Sequence, residues 1–277
     1  MRSTAENAQL ALLLEVSSTP KPGNVDRARE YPDLRFEHFA AGAVGARGGL
    51  ELAADGEPVG ESFREAVAGM GQQSGGNTQF GALLLLTPLV RAAAADVLSP
   101  SGVERVVADT TVADAADFYR AFEHVGVSVE DPPEGMEDID VRRGADAVPA
   151  VRDRGLTLAA LMERSAPTDG VAAELVDGCP RTFTTADRIA DGSGPVTDRA
   201  AAAYLDALAT EVDTFVLTQH GRGTAEEVRR RAAAAQDGEE DPDTLAAEFV
   251  ERGINPGTTA DIVAGGLFVA LERGLEV

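Results

Sequence analysis

The sequence has little cysteine, tryptophan or lysine, and long apolar runs are missing. Cys179 is the only cysteine among 277 residues, which excludes an internal disulfide and a zinc site built from cysteines. No apolar run approaches the roughly 20 residues that span a bilayer, and the N-terminus lacks a basic segment followed by an apolar one. These absences predict a cytoplasmic protein with no membrane partner.

Basic residues are also scarce. The 24 Lys and Arg residues stand against 47 Asp and Glu residues, which gives a formal net charge of −23 at pH 7. Such a charge repels nucleic acids and anionic membranes and argues against both as partners. The acids are spread along the whole chain and arginine replaces lysine almost everywhere, which is typical of a halophilic cytoplasm. A GC-rich genome would also favour arginine and alanine.

The one lysine, Lys21, lies in the segment Thr-Pro-Lys-Pro-Gly. A compact ammonium on a thin stem and a planar guanidinium are not interchangeable at a tight phosphate site. We therefore expect Lys21 to have a function; the alternative is a surface lysine without one.

Helical periodicity dominates, and no alternating strand, fixed-period repeat or linker is visible. The pattern predicts an all-α fold, a single-domain multi-helix bundle over residues 1–277 whose functional loops converge on one pocket. The predicted helices cover residues 4–16, 35–52, 61–70, 80–95, 114–124, 145–154, 156–165, 170–177, 184–190, 196–211, 225–235, 244–251 and 259–271. Pro88 is expected to kink or divide its helix, and residues 126–143 are predicted to form an exposed loop.

Four loop segments are unusually dense in glycine, proline, asparagine and small hydroxyl residues. They are residues 17–27, 74–78, 213–214 with 220–223, and 255–261. Glycine lets backbone N–H groups approach a ligand, and the N-terminus of a helix attracts phosphate. Helix capping would explain any one of these loops. Four in one helical protein favour a shared site.

Charged side chains in these loops predict a site for a phosphorylated ligand with Mg²⁺. Because Mg²⁺ takes oxygen donors and bridges to phosphates, four aspartates are candidate ligands: Asp26, Asp33, Asp213 and Asp261. The basic side chains expected to contact phosphate oxygens are Lys21, Arg27 and Arg222. His38 and His220 are weaker candidates, and Cys179 is expected to be structural. No P-loop, nucleophile elbow or His-Glu-x-x-His motif is present.

The four loops resemble, in their order along the chain, the motifs of the triphosphoribosyl-dephospho-CoA synthase family. The opening motif Glu-Val-x-x-Thr-Pro-Lys-Pro-Gly, followed by Val-Asp, is matched by Glu15, Val16, Thr19 to Gly23, Val25 and Asp26. The Gly-x-Asn-Thr loop is matched by Gly75, Asn77, Thr78 and Gly81, and the later Asp-Thr pair by Asp213 and Thr214. The closing Pro-Gly-x-Ser-Ala-Asp-Leu segment is similar to Pro256, Gly257, Thr259, Ala260, Asp261 and Ile262.

The resemblance implies an all-helical transferase that uses ATP as substrate. Enzymes of the family move the triphosphoribosyl group of ATP to a ribose hydroxyl of 3′-dephospho-CoA and release adenine. With this reaction, Asp26 and Asp261 are the expected catalytic residues, either of which could stabilise the cationic sugar or deprotonate the acceptor. Asp33 and Asp213 are then the expected Mg²⁺ ligands among the four candidate aspartates. The residues expected to bind substrate are Thr19, Lys21, Gly23, Asn24, Arg27, Gly75, Gly76, Asn77, Thr78, Thr214, Arg222, Asn255, Gly257 and Thr259. We expect Lys21, Asp26 and Asp261 to face the interior of one polyphosphate pocket.

The chain departs from the family after three of these motifs. After the Asp-Thr pair the family continues with Asn and later Arg-Gly-Gly, whereas this chain has Phe215 and His-Gly-Arg-Gly over residues 220–223. Where the bacterial enzymes have Gly-x-His-x-Asp-Met, it reads Glu-Tyr-Pro-Asp-Leu over residues 30–34. Where they have His-Lys after Asn-Thr, it has Gln79 and Phe80. These replacements remove positive charge that could bind substrate. The acceptor could therefore be a molecule other than dephospho-CoA. A Mg²⁺-dependent hydrolase of a nucleotide or ADP-ribosyl compound and a non-catalytic nucleotide-binding protein are the alternative functions.

Overall fold

The computed structural model describes residues 2–129, 131–132 and 135–277, and this part contains α- and 3₁₀-helices but no β-strand. The all-α prediction is therefore confirmed. The helices are α1 (Thr4–Ser17), α2 (Phe36–Gly45), α3 (Arg47–Asp55), α4 (Val59–Met70), α5 (Phe80–Ala94), α6 (Pro100–Ala108), α7 (Val112–Ala121), α8 (Val148–Asp153), α9 (Leu158–Ser165), α10 (Gly170–Val176), α11 (Pro180–Asp191), α12 (Val196–Thr210), α13 (Thr214–Gln236), α14 (Pro242–Glu251) and α15 (Gly257–Glu272).

Several helix boundaries differ from the sequence prediction. The stretch predicted as one helix over 35–52 forms α2 and α3, and α6 was not predicted at all. Helix α6 begins after Ser99, whose hydroxyl accepts a hydrogen bond from the N–H of Gly102 at 3.2 Å, an ordinary N-cap. Pro88 lies inside α5 without dividing it.

Residues 220–223 were predicted to form a loop, and this prediction is wrong. They lie inside α13, where Gly221 interrupts the helical backbone with φ of +78°. A positive φ suits glycine because it has no Cβ, so the sequence signal at this glycine marks a break within a helix and not a loop between two helices.

The segment over 126–143 is partly helical, unlike the exposed loop that was predicted. It contains a 3₁₀-helix at Glu137–Ile139 and the beginning of another at Val141–Ala147. Ile139 is buried, and its carbonyl accepts a hydrogen bond from the Tyr119 hydroxyl of α7 at 2.6 Å. Residues 130, 133 and 134 of this segment lie outside the described residues.

Helix α15 occupies the centre of the molecule. It packs against α1, α5, α11 and α12, and nearly all of its residues from Thr258 to Leu271 are buried. A helix that is apolar on all sides needs neighbours on all sides, which explains why no amphipathic stripe is visible in its sequence. The start of α15 thereby lies close to the C-terminal end of α1 and the N-terminal end of α5, where the candidate site is found. None of the described helices is both long and apolar enough to cross a membrane.

Candidate active site

A cavity of about 1110 Å³ opens where these helix ends meet. Its wall comes from the C-terminal end of α1, from the beginnings of α5, α10, α13 and α15, and from α7, α9 and the described residues of the segment 127–141. The predicted site residues that line it are Asn24, Asp33, Gly75, Gly76, Asn77, Thr78, Thr214, Asn255, Gly257 and Asp261. The predicted site residues outside the lining are Thr19, Lys21, Gly23, Asp26, Arg27, Asp213, Arg222 and Thr259. All four motif regions thus contribute to one cavity.

One end of the cavity is lined by amide and hydroxyl side chains from distant parts of the chain. The Asn24 amide donates a hydrogen bond to Oδ1 of Asn255 at 2.8 Å, and the hydroxyls of Thr214 and Thr258 are 3.0 Å apart. These contacts join the first loop to the loop before α15, and the start of α13 to the start of α15. We call this region the polar end.

Asp261 is the carboxylate on α15 that faces the polar end. A Cβ added to Gly81 would lie 2.0 Å from its Oδ2 atom, so the carboxylate rests directly against the backbone of α5. Burial raises the pKa of Asp261 well above its usual range, and the nearby carboxylates of Glu15 and Asp213 raise it further. The N–H of Ala82 favours the ionised form and opposes this shift. Asp261 is therefore a proton-binding group at the cavity wall.

Glu15 also lines the cavity, and Lys21 lies behind it. The Lys21 ammonium is fully buried, hydrogen-bonded to Glu15 Oε1 and to Asn24 Oδ1 at 3.0 Å, and lies 5.9 Å from the centre of the Tyr204 ring. Burial raises the pKa of Glu15, and Lys21 opposes that shift. The prediction that Lys21 faces the pocket interior is wrong: its charge is used to hold Glu15 and Asn24 in the wall.

Asp26 lies in the same buried layer as Lys21 and does not line the cavity. Its Oδ2 accepts hydrogen bonds from the Thr19 hydroxyl at 2.8 Å and the Lys21 N–H at 3.1 Å. Its Oδ1 accepts from the N–H groups of Ala28 and Arg29 at 2.7 and 2.8 Å. The expectation that Asp26 faces the cavity is wrong, because both oxygens are engaged in folding the first loop.

Asp213, one of the two expected Mg²⁺ ligands, is a buried helix cap. Its Oδ1 accepts from the Val216 N–H at 3.0 Å, and its Oδ2 accepts from the N–H and hydroxyl of Thr259 at 2.8 and 2.7 Å. These bonds tie α13 to α15 and leave Asp213 outside the cavity lining, in contrast to the metal-ligand role predicted. Asp33, the other expected ligand, is exposed at the cavity mouth. Within the part of the chain that the structure describes, no group of three or more His, Cys, Asp or Glu side chains is arranged to hold a metal ion.

The two arginines predicted to contact phosphate lie on the outer surface. Arg27 is exposed and 3.9 Å from Asp198, and Arg222 has a 72% exposed side chain that pairs with Glu226 at 3.7 Å on the next turn. Their predicted role in phosphate binding is therefore not supported by their positions. His220 does line the cavity, with Nε2 3.2 Å from the Gly253 carbonyl oxygen.

Gly23 has a packing role. Its φ is +78°, and an added Cβ would lie 2.2 Å from the carbonyl oxygen of Ile254. The Tyr31 hydroxyl donates hydrogen bonds to the carbonyls of both residues, at 2.6 and 3.1 Å. Only glycine fits this approach, which brings the first loop against the loop before α15.

The glycine-rich loop before α5 presents mainly backbone to the cavity. A Cβ at Gly75 would lie 2.3 Å from Nδ1 of the buried His38, and Asn77 Oδ1 caps α5 through the N–H of Phe80 at 3.1 Å. The Thr78 hydroxyl is directed at Gly42 of α2, where an added Cβ would lie 2.6 Å from it. The Gly75 N–H donates to Gln73 Oε1 at 2.6 Å, so substrate binding by this loop, as predicted, would use the remaining N–H groups and the Asn77 amide.

Sequence reasoning missed the apolar part of the cavity lining. Apolar side chains of α5, α7, α9 and the described residues of the segment 127–141 form it, among them Phe118, Phe122 and Met162. Arg164 of α9 also lines the cavity and is the one permanently charged cation among its described lining residues. Nothing in the sequence distinguishes Arg164 from the other arginines, because its importance comes from its location alone.

The comparisons with known proteins agree with the motif analysis. A family model, CitG: ATP:dephospho-CoA triphosphoribosyl transferase, matches residues 1–276. The chain belongs to this family. It is accordingly an enzyme of the triphosphoribosyl transferase type, as the motifs predicted. It is also similar to a crystal structure of a protein from Archaeoglobus fulgidus that is provisionally described as a triphosphoribosyl-dephospho-CoA synthase. The two share 25% identity, with a TM-score of 0.71, over 87% of this chain and 100% of that one. No curated protein matches the chain.

Proposed function

We propose that this enzyme transfers the triphosphoribosyl group of ATP to a hydroxyl of dephospho-CoA or a related acceptor inside the cavity, with Asp261 at the reacting carbon. The observation that carries this proposal is the position of Asp261, a carboxylate that lies against Gly81 where the four motif regions meet. The family match, which runs over residues 1–276, also supports treating residues 1–277 as one domain.

Transfer at the anomeric carbon breaks the bond from ribose C1′ to adenine N9 and forms a bond from C1′ to the acceptor oxygen. The acceptor hydroxyl must lose its proton, and the ribose passes through a state with positive charge. A base works best when its pKa lies near the operating pH, and burial shifts Asp261 in that direction. Asp261 would take the acceptor proton, and its ionised form would stabilise the positive ribose. Adenine would leave with the electron pair of the C1′–N9 bond and take up one proton from water. The rate should then rise with pH through the raised pKa of Asp261.

The polar end would hold the triphosphoribosyl group. Amide and hydroxyl donors from Asn77, Thr214 and Asn255 line it, together with the backbone of Gly75 and Gly76. Neutral donors of this kind bind phosphate oxygens but do not compensate their charge. Lys21 and Asp26 act as positioning residues, because they shape the wall from behind.

Mg²⁺ fits this site as an ion carried in by the triphosphate. The cavity lining includes the carboxylates of Glu15, Asp33, Asp169 and Asp261 but few cations, so a bare polyanion would be repelled. Mg²⁺ is commonly held by one or two carboxylates together with phosphates and water. Of the two predicted Mg²⁺ ligands, Asp33 lines the mouth of the cavity and can reach the ion, whereas Asp213 caps α13. The ion would supply charge compensation for the triphosphate.

We also propose that the enzyme works in a cytoplasm of high salt concentration. A net charge of −23 with one lysine supports a halophilic cytoplasm, where ATP is available and screening lengths are short. Activity should then require high concentrations of potassium chloride.

The test is a product analysis in high salt with Mg²⁺, ATP and dephospho-CoA. We expect one adenine to be released for each acceptor consumed, together with a triphosphoribosylated product. The variant D261N should release adenine about 10²- to 10⁴-fold more slowly than the wild type, whereas R222A, altered on the outer surface, should match the wild type. Adenine or ribose phosphate release without an acceptor would favour the hydrolase. Tight ATP binding with no turnover would favour a non-catalytic nucleotide-binding protein. Either result would contradict the transfer.

A further inference from the structure

The proposed transfer gives Asp261 two tasks that one carboxylate cannot perform at the same moment. A carboxylate that has taken the acceptor proton is neutral, so it no longer balances the positive charge on the ribose. Enzymes that cleave glycosidic bonds commonly divide such tasks between a pair of carboxylates. The reaction therefore calls for a second anionic group beside Asp261 that keeps its charge throughout.

Glu15 is a buried carboxylate in the cavity lining. It lies in the last turn of α1, and its side chain is 5% exposed. Helix α1 packs against α15, which carries Asp261, and against α5. Among the charged groups around Asp261, Glu15 raises the pKa of that carboxyl most, whereas Asp213 and Asp169 raise it less. Glu15 and Asp261 are thus two carboxylates close enough for the charge of one to act on the other.

A chain of hydrogen bonds fixes Glu15 at the polar end. Its Oε1 accepts from the Lys21 ammonium, which also donates to Asn24 Oδ1 at 3.0 Å. The Asn24 amide in turn donates to Asn255 Oδ1 at 2.8 Å. Glu15, Asn24 and Asn255 line the cavity, and Lys21 lies behind them. The ammonium therefore acts on the cavity through the groups that it holds.

The two carboxylates differ in how the protein compensates their charge. Burial raises the pKa of both, but the Lys21 ammonium opposes this shift at Glu15, where the charge of Asp26 adds only a smaller rise. At Asp261 the nearby carboxylates add to the shift. Two carboxylates in different surroundings can take different roles, one holding charge and the other moving a proton. Glu15 is suited to stay ionised, and Asp261 is suited to take a proton.

We propose that Glu15 is a second catalytic residue: its carboxylate, kept ionised by Lys21, lies beside the ribose and stabilises its positive charge while Asp261 takes the proton of the acceptor hydroxyl. This inference rests on the proposed transfer reaction. The bond from C1′ to N9 breaks with its electron pair going to adenine, and the acceptor oxygen forms the new bond to C1′. Glu15 forms no bond and exchanges no proton in this step. Lys21 is a positioning residue that acts through Glu15.

The rate of adenine release by E15Q, measured against pH in high salt with ATP, Mg²⁺ and dephospho-CoA, tests this role. E15Q keeps the shape of the side chain and removes its charge. We expect kcat to fall about 10²- to 10³-fold, as on removal of one electrostatic stabiliser, with little change in the KM for ATP. The rise of kcat with pH should move to lower pH, because the pKa of Asp261 falls when the charge of Glu15 is removed.

The matched control is E174Q. Glu174 is also a buried glutamate with a basic partner, Arg181 at 3.0 Å, but it lies outside the cavity lining. E174Q should therefore leave kcat and its pH profile unchanged, whatever it does to stability.

The double variant E15Q/K21M provides a second measurement, because E15Q alone leaves the buried Lys21 ammonium without its partner. In the double variant kcat should be as low as in E15Q and no lower, since Lys21 acts through Glu15. K21M alone should lose kcat near neutral pH and regain part of it at higher pH, because the pKa of Glu15 rises without the ammonium. Thermal unfolding of each variant shows whether it is folded.

Three results would overturn the role of Glu15. They are a kcat in E15Q of more than about half the wild-type value, a loss of kcat without a shift of the pH profile, and a higher KM for ATP with unchanged kcat. Failure of the transfer reaction is recognised separately, in the wild type, which would then release no adenine or would release it without an acceptor. If the wild type requires an acceptor and E15Q is equally fast, the role of Glu15 is wrong and the transfer stands.

Discussion

Asp26 and Asp261 belong to two layers of the same site, and their surroundings differ. Asp26 lies in a buried layer with Lys21 and Asp213, where each charged group has protein partners that account for it. Asp261 lies in the lining layer, where its carboxylate faces the cavity and its ionised form is poorly compensated. The difference teaches that a dense motif contains two kinds of residue. Residues that build the wall have all their polar atoms hydrogen-bonded within the protein. Residues available for chemistry have fewer protein partners than their polar atoms could accept.

The largest effect on activity is expected at the lining layer. D261N removes the proposed base while keeping the shape of the side chain, and loss of a general base costs about 10²- to 10⁴-fold in rate. Adenine release under saturating substrates measures kcat, and thermal unfolding should show a folded protein. A variant that keeps more than half of the wild-type kcat would remove Asp261 from the mechanism.

Substitutions in the buried layer should lower the free energy of unfolding. D26A removes the acceptor of the Ala28 N–H, the nearer of the two acceptors of the Arg29 N–H, and the buried partner of the Arg29 guanidinium, so we expect a loss of about 3–5 kcal/mol in the free energy of unfolding. Chemical denaturation in high salt measures it. The control is D187A, which breaks the exposed ion pair with Arg273 and should cost at most about 1 kcal/mol. Equal losses in the two variants would contradict the assignment of Asp26 to the buried layer.

G81A should move the Asp261 carboxylate without deleting it. The new Cβ would lie 2.0 Å from Oδ2, and a misplaced catalytic group can cost about 100-fold in kcat. Helix propensity favours alanine at this position of α5, so stability should not fall for backbone reasons. G48A is the control, because an added Cβ there meets nothing within 4 Å. Unchanged kcat in G81A would show that the position of Asp261 is not critical.

A smaller effect is expected in the pH dependence of stability. Because the folded-state pKa of Asp261 lies above its unfolded value, the folded state binds the proton more tightly. The stabilising contribution of Asp261 is therefore complete at low pH and is lost as pH rises from the ordinary aspartate range through the raised pKa. D261N lacks this titration, so its stability relative to wild type should increase with pH. A constant difference across that range would mean that the pKa of Asp261 is not raised.

The sequence predicted the all-α fold and the convergence of four loops, because helical periodicity and loop composition are local signals. It predicted Asn77, Asn255 and Asp261 in the cavity for the same reason. It could not separate Lys21 and Asp26 from Asp261, since buried pairing depends on contacts that only the fold creates. Glu15, an acid on the mostly apolar buried face of α1, was a usable signal for a lining residue. No feature of the sequence indicated that Arg164 lines the cavity.

The most direct measurement is a crystal structure of the enzyme with ATP and Mg²⁺ bound in high salt. The account predicts the ribose beside Asp261 and Gly81, with the phosphates along the loop of residues 75–78 and the amide of Asn255. Lys21 should keep its bond to Glu15 and touch no phosphate. Phosphates bound on the outer surface at Arg27 or Arg222, with Asp261 away from the ribose, would contradict it.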